Sequence, residues 1–315
     1  MTGHIFDIYR GTTHDGPGIR DSVFFRGCPL ACRWCHNPEG ISFSQQVWWE
    51  ARDCIGCFSC VSACPRGAIA AGAGGIEVRR DRCVACLECV RGCPSTALKQ
   101  VSREYSVGDL VREVTRDMDY YRQFGGGVTA SGGECLMQAD FLQAFFRELK
   151  ALGIHTAVDT SGQVPWQAFE KVLDVTDHVL YDLKLWDPEL HREYTGHDSR
   201  LILDNFLRLI QAIRDGRWQG QIWVRTPLIP GATATAENIG AIAAFLSPYL
   251  GREVSRWEMC SFNNACTPKY RKLGQSWSYA ETPLLSREAA QALRAKALEA
   301  GCDGSRVILT GILTG

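Results

Sequence analysis

The sequence predicts an α/β protein, an open six-unit (β/α)6 partial barrel interrupted by a small cysteine-rich insertion. Three observations carry this. From about residue 105, apolar runs suited to buried strands alternate with amphipathic helical stretches, as in parallel sheets. The units stop at six, short of a closed eight-fold barrel. Residues 51–99 break the alternation with glycines, prolines, small residues and tightly spaced cysteines. The barrel is therefore assigned to residues 1–50 and 100–315, and the insertion to 51–99.

The first strand is "SVFF", ending at Phe25, and it runs straight into a cysteine loop. Later strands read at 127–133, 155–162, 178–184, 221–228 and 254–260. Helical patterns fill the gaps at Leu110–Tyr121, Asp140–Leu152, Val164–Asp174, Leu201–Arg214 and Glu237–Leu250, with a last one at Ser286–Ala300. In such folds ligands gather at the carboxyl ends of the strands, where the polar motifs below all fall.

Composition narrows the function classes. At 315 residues, 45% hydrophobic and 22% charged, the chain has ample material for a core. A formal charge of −1 supplies no basic field for nucleic acid. The N-terminus lacks the basic start and apolar run of a signal peptide, and no stretch reaches the ~18 apolar residues of a membrane helix. A soluble cytoplasmic protein, acting as a monomer, is expected.

Fifteen cysteines are far too many for an ordinary protein of this kind, and eleven of them lie between Cys28 and Cys93. In a cytosolic chain this crowding points to metal rather than disulfides. The first group is Cys28, Cys32 and Cys35 in "CPLACRWC". Three thiolates on one loop can hold three irons of a 4Fe–4S cluster and leave the fourth open to substrate. A zinc site completed by His36 is the alternative, strained because His36 abuts Cys35.

The other two groups form an internal repeat of about 29 residues, "CIGCFSCVSACP" from Cys54 and "CVACLECVRGCP" from Cys83. Each has the C-x2-C-x2-C-x3-C-P spacing of bacterial ferredoxins, in which the fourth cysteine serves the other cluster. That pattern assigns Cys54, Cys57, Cys60 and Cys93 to one 4Fe–4S cluster. Cys83, Cys86, Cys89 and Cys64 go to a second, with Pro65 and Pro94 closing the runs. Zinc ribbons remain the alternative, and they do not call for the paired runs or the prolines.

"HDGPGIRDSVFFRGCPLACRWCHNPE", residues 14–39, resembles the N-terminal signature of the glycyl-radical-enzyme activating enzymes, a radical S-adenosylmethionine (SAM) family. Later motifs arrive in that family's order, so the resemblance covers nearly the whole chain, and larger family members carry a similar two-cluster insertion. It implies a radical SAM barrel whose open iron chelates the amino and carboxylate groups of SAM. Reductive cleavage would release methionine and a deoxyadenosyl radical that takes hydrogen from a backbone glycine of a partner enzyme.

The resemblance also implies roles for later residues. In "SGGE", Gly132, Gly133 and Glu134 would hold the SAM amino group, the glycines permitting close backbone approach. Asp159, Thr160 and Asp182 would build a monovalent-cation site beside SAM, and Lys184 would contact SAM. Asp182 and Lys184 are two apart and share a strand face, so a structural ion pair is the bland alternative. Asn37 and Arg225 match further SAM-site positions. Where relatives carry a Tyr-His pair this chain has Phe262 and Asn263, and asparagine can hydrogen-bond but cannot titrate. Cys135, where proline is frequent, and Cys260, Cys266 and Cys302 read as buried small hydrophobes.

Activation of a glycyl radical enzyme is thus the expected function, with three 4Fe–4S clusters, SAM and a monovalent cation. A flavodoxin or ferredoxin would be the electron donor. Gly16, Pro17 and Gly18 would shape the approach to the loop. A radical SAM peptide maturase is the enzymatic rival. A ferredoxin-like electron carrier is the non-enzymatic one, and it leaves the barrel without a task.

Overall fold

The computed structural model describes residues 1–72 and 74–315. The chain opens with two antiparallel strands, β1 (Thr2–Thr12) and β2 (Arg20–Phe25), the second buried along its whole length. The insertion follows, as β3 (Val47–Trp49), α1 (Ser59–Ala63), the hairpin β4 (Ile69–Gly72) and β5 (Gly75–Val78), α2 (Glu88–Arg91) and β6 (Leu98–Gln100). Strand β3 pairs antiparallel with β6, so a two-stranded stalk carries the insertion and begins just outside residues 51–99.

The chain then alternates. Strand β7 (Arg103–Ser106) leads into α3 (Val107–Val114) and α4 (Met118–Phe124), then β8 (Gly127–Gly132), α5 (Ala139–Ala151), β9 (His155–Thr160) and α6 (Trp166–Val172). Next come β10 (His178–Asp182), α7 (Pro188–Thr195), α8 (Arg200–Arg214), β11 (Gln221–Leu228) and α9 (Ala236–Leu246). The chain ends with β12 (Val254–Ser261), α10 (Thr267–Lys272), α11 (Arg287–Glu299) and β13 (Val307–Thr310).

The main sheet has nine strands in the order β13-β12-β11-β10-β9-β8-β2-β1-β7. From β2 to β13 every neighbouring pair is parallel, and β1 and β7 add an antiparallel edge. The two edges do not pair, so the α/β sheet is open, as expected. It carries one parallel strand more than the six units read from sequence. Strand β13 is only four residues long, and β1 mixes charged with apolar residues; neither gives a clear strand pattern.

Helices cover the outer face of the sheet. Phe141, Phe145, Phe146, Phe206, Ile239 and Leu246 pack on Val128, Val158, Val179, Val224 and Trp257 in one core. Hydroxyls cap some of the helices: Thr235 accepts from Asn238 N, and Ser286 from Ala289 N. The helix expected at Leu110–Tyr121 is broken into α3 and α4 by a turn at Thr115–Asp117. There Asp117 and Glu113 both reach Arg10 of β1.

One strand-level expectation needs correction. Strands β2, β8 and β10 are buried without alternation, as expected, but β11 is not. In β11, Ile222, Val224, Thr226 and Leu228 are buried, while Trp223, Arg225 and Pro227 line an inner cavity. The apolar face lies under the helices and the polar face lines the lumen, so the pattern alternates.

The insertion has a small core of Val47, Ile69, Ile76 and Leu98 together with Cys60 and Cys89. Its two halves repeat in backbone conformation as well as in sequence. Gly56 and Ala85, Phe58 and Leu87, and Gly67 and Thr96 are all left-handed, each pair 29 positions apart.

Candidate active site

The cysteine loop leaves the carboxyl end of β2, and a separate core holds it there. Trp34 packs with Leu185, Ile229, Phe262, Tyr270 and Trp277. Trp277 donates its indole N–H to Arg33 O at 3.0 Å, and Tyr270 donates its hydroxyl to Cys35 O at 2.9 Å. Cys28, Cys32 and Cys35 face a cavity of about 680 Å3 at the carboxyl ends of the parallel strands. Burial raises all three thiols, Cys35 to about 12, so in the metal-free protein they are protonated.

The same cavity is lined by Asn37, Gly132, Gly133, Asp159, Thr160, Asp182, Lys184, Arg225 and Asn263. Residues scattered over more than 230 positions are thus brought to one place by the strand ends. Gly132 and Gly133 have a second duty beyond facing the cavity. A Cβ on Gly133 would lie 2.5 Å from Gly27 O and 2.6 Å from Gly40 O, and one on Gly132 would lie 2.4 Å from Phe25 N. The turn after β8 is therefore wedged against the backbone of the cysteine loop.

Glu134 differs from its expected placement. It is fully buried behind the cavity wall. Its carboxylate accepts from Thr160 Oγ1 at 2.8 Å, Ser161 N at 2.9 Å, Ser161 Oγ at 2.7 Å and Leu136 N at 3.3 Å. Burial raises its pKa and these bonds work against the rise. The side chain holds the end of β9 in place and has no face toward a ligand.

Charge in the cavity wall is densely paired. Arg225 lies 3.5 Å from Asp159, 3.6 Å from Asp15 and 3.2 Å from Glu258, and it donates to His14 O. Ser131 Oγ donates to Asp159 at 2.7 Å. Lys184 pairs directly with Asp182. Burial acts against the Lys184 ammonium, yet Asp182 and the cysteine loop raise its pKa overall. Asp159 is pushed up to about 7 by burial, with Arg225 opposing and Asp182 and Asp15 adding to the rise.

Asn37 does not point freely into the cavity either; its Oδ1 accepts from Lys269 Nζ at 2.8 Å, and Lys269 also pairs with buried Glu39 at 2.7 Å. Asn263 is half-buried at the rim and accepts from Ala265 N at 3.1 Å. Sequence reasoning missed Trp223, Arg256, Glu258 and Cys260 as cavity residues, although their two-residue spacing with Arg225 and with one another was a signal. Of the four unassigned cysteines, Cys135, Cys266 and Cys302 are buried as expected, whereas half-buried Cys260 lines the cavity.

In the insertion, Cys54, Cys57, Cys60 and Cys93 line one small cavity, and Cys64, Cys83, Cys86 and Cys89 line another. The fourth cysteine of each run is brought to the other run's three. Among the described residues no three His, Cys, Asp or Glu side chains close around a single ion position; the thiols ring cavities. Among the described residues, too, no helix is long and apolar enough to cross a membrane.

A parallel α/β sheet with a three-cysteine loop over its carboxyl ends defines a radical SAM architecture. The chain matches the radical SAM superfamily over residues 22–239. It is 38% identical to the trans-4-hydroxy-L-proline dehydratase activating enzyme of Clostridioides difficile, over 93% of this chain and 95% of that one. It is 37% identical to the (2S)-3-sulfopropanediol dehydratase activating enzyme of Klebsiella oxytoca, over 86% of each. Identity to the pyruvate formate-lyase 2-activating enzyme of Escherichia coli (strain K12) is 35%, over 94% and 90%. A radical SAM methyltransferase structure from Sphaerobacter thermophilus shares the fold, with a TM-score of 0.52 at 12% identity, covering 98% of this chain and 73% of that one. The chain belongs to the glycyl-radical-enzyme activating enzymes of the radical SAM superfamily. A 4Fe–4S cluster and SAM are implied by that membership.

Proposed function

We propose that the chain cleaves SAM at the Cys28–Cys35 loop and takes a hydrogen atom from a backbone glycine of its partner, with two further 4Fe–4S clusters in the insertion. The observation that carries this is the shared cavity: Cys28, Cys32 and Cys35 open onto the same space as Gly132, Gly133, Asp159, Lys184 and Arg225. Three thiolates fit a cluster with one open iron, which when bound supplies a SAM chelation point and one electron.

The chain's own residues do the rest. Lys184 and Arg225 line the cavity and would offer donors to SAM's carboxylate and ribose oxygens. Arg225 joins Asp15, Asp159 and Glu258, Arg256 joins Glu258, and Lys184 and Asp182 form a separate pair in the same wall. A wall this rich in carboxylates suits a cationic ligand. SAM's sulfonium qualifies, as does the monovalent cation expected at Asp159, Thr160 and Asp182. Trp34, Phe262 and Trp277 supply an apolar wall that keeps water from the loop.

The paired cavities in the insertion support two clusters with exchanged fourth ligands. Four non-glycine residues there, Phe58, Ala85, Leu87 and Thr96, are left-handed, at a cost of ~1 kcal/mol each. Loops wrapped on clusters would account for that cost. A protein substrate and a flavodoxin or ferredoxin donor complete the reading. The test is SAM cleavage after anaerobic reconstitution. The wild type should hold about twelve irons, and the triple Cys28/Cys32/Cys35→Ala variant about eight with no cleavage. Retained cleavage in that variant, or bound zinc in place of iron, contradicts the reading.

A further inference from the structure

The two four-cysteine cavities are not equivalent with respect to the barrel. The stalk leaves the barrel at Gln45 and Ser102. Gln45 donates to Ser102 O at 2.6 Å, and Arg26, just past β2, donates to Ser102 Oγ at 2.5 Å. From there the rungs run outward as Val47 with Gln100, Trp48 with Lys99 and Trp49 with Leu98. Val47, on the innermost rung, lines the cavity of Cys64, Cys83, Cys86 and Cys89. Trp49 and Leu98, on the outermost rung, line the cavity of Cys54, Cys57, Cys60 and Cys93. Two residues along a strand are about 7 Å, so one set stands nearer the barrel than the other.

Arg80, three residues before Cys83, donates to Val47 O at 2.7 Å and to Leu273 O at 3.2 Å. Leu273 caps α10, the helix whose Tyr270 binds Cys35 O and whose Lys269 binds Asn37 and Glu39. Hydrogen bonds thus tie Arg80, three residues before Cys83, to the end of the helix that holds Cys35. On the outer side, Glu50, four residues before Cys54, pairs with Lys272 of the same helix at 2.7 Å, so the order of the two sets rests on the rungs of the stalk.

We infer, on the three-cluster reading above, that Cys64, Cys83, Cys86 and Cys89 form the inner set facing the Cys28–Cys35 loop, and that Cys54, Cys57, Cys60 and Cys93 form the outer set, with Arg80 holding the inner set against helix 267–272. An electron from a low-potential one-electron donor protein then enters at the outer set and reaches the loop from the inner one. Each transfer reduces the receiver by one electron and reoxidises the giver, with no bond made or broken. Arg80 is a positioning residue on the inner side of the insertion, against Val47 and Leu273, and loss of its positive charge there should lower the potential of the inner couple.

The test is electron paramagnetic resonance on the reduced, reconstituted protein, in two double variants. Cys57→Ala/Cys60→Ala removes the outer set, and Cys86→Ala/Cys89→Ala the inner. The signal from the Cys28–Cys35 loop should remain broadened, with several-fold faster spin relaxation, when only the outer set is lost. It should sharpen and slow when the inner set is lost. The reverse pattern, with about four irons missing from each variant, overturns the order while leaving the three-cluster reading intact. Variants that keep their full iron overturn both. Arg80→Gln keeps every cysteine and gives a second measurement. In a redox titration it should lower the potential of one insertion couple only, the one magnetically coupled to the loop signal. A shift in the uncoupled one, or none, overturns the proposal.

Discussion

Tyr270 donates its hydroxyl to the carbonyl of Cys35 at 2.9 Å while its ring stacks on Trp277 at 5.1 Å between centroids. The bond spans 235 positions of sequence and fastens the C-terminal segment onto the last cysteine of the loop.

Tyr270→Phe keeps the stack and removes the bond, so it should cost about 1 kcal/mol of stability. The spectrum of the reduced loop cluster should shift, because the Cys35 carbonyl loses its donor. Tyr270→Ala also loses the stack and should cost ~3 kcal/mol or more. Thermal melts and electron paramagnetic resonance on the two variants check this; an unchanged spectrum in both would show that the bond does not shape the loop.

Glu134 supplies a sharper discrimination. Its carboxylate is spent on Thr160, Ser161 and Leu136. Glu134→Gln sets an amide N–H2 against donors in a buried site and should cost roughly 2–3 kcal/mol. SAM affinity should fall only as the stability falls, because the effect passes through the end of β9. A variant of normal stability with sharply weakened SAM binding would instead mean that Glu134 touches SAM directly.

The lower end of the barrel predicts acid sensitivity. His178 is fully buried with its ring edge-on to Trp223, and its Nε2 has no partner among the described residues. Burial, with His155 and Arg20 adding, pushes it down to about 3; burial with Arg20 pushes His155 to about 4. Both are neutral when folded, and the unfolded chain binds protons more readily below its ordinary histidine pKa of ~6.5. Their contribution to stability is therefore complete above pH ~6.5 and falls progressively toward pH ~3. His178→Leu should retain more of its neutral-pH stability at pH 5 than the wild type does, as read by urea unfolding at the two pH values. An equal loss in both proteins would rule His178 out as a source of the acid limb.

Much of this was legible in the sequence because cysteine spacing and strand-end polar motifs are local signals. The pairing of Cys93 with Cys54, Cys57 and Cys60 follows from the repeat, and the structure sets those four around one cavity. Glu134 was misplaced because a motif states which residue follows a strand and not which way its side chain turns. Arg256 and Glu258 were passed over because the strand was read for apolar content, whereas its alternate residues face a polar lumen. The ties from Lys269 and Tyr270 to the loop are contacts more than 230 positions apart, and no local pattern announces them.

The central claim is that the cavity over Cys28, Cys32 and Cys35 generates a radical delivered to a protein glycine. The direct measurement uses anaerobic protein, SAM and reductant with a glycyl radical enzyme offered as partner, the partner carrying carbon-13 at the glycine α-carbon. The expected result is deoxyadenosine, methionine and a stable doublet on the partner whose hyperfine splitting changes with the label. Deoxyadenosine formed with no partner-borne radical, and a modified short peptide in its place, would contradict the account.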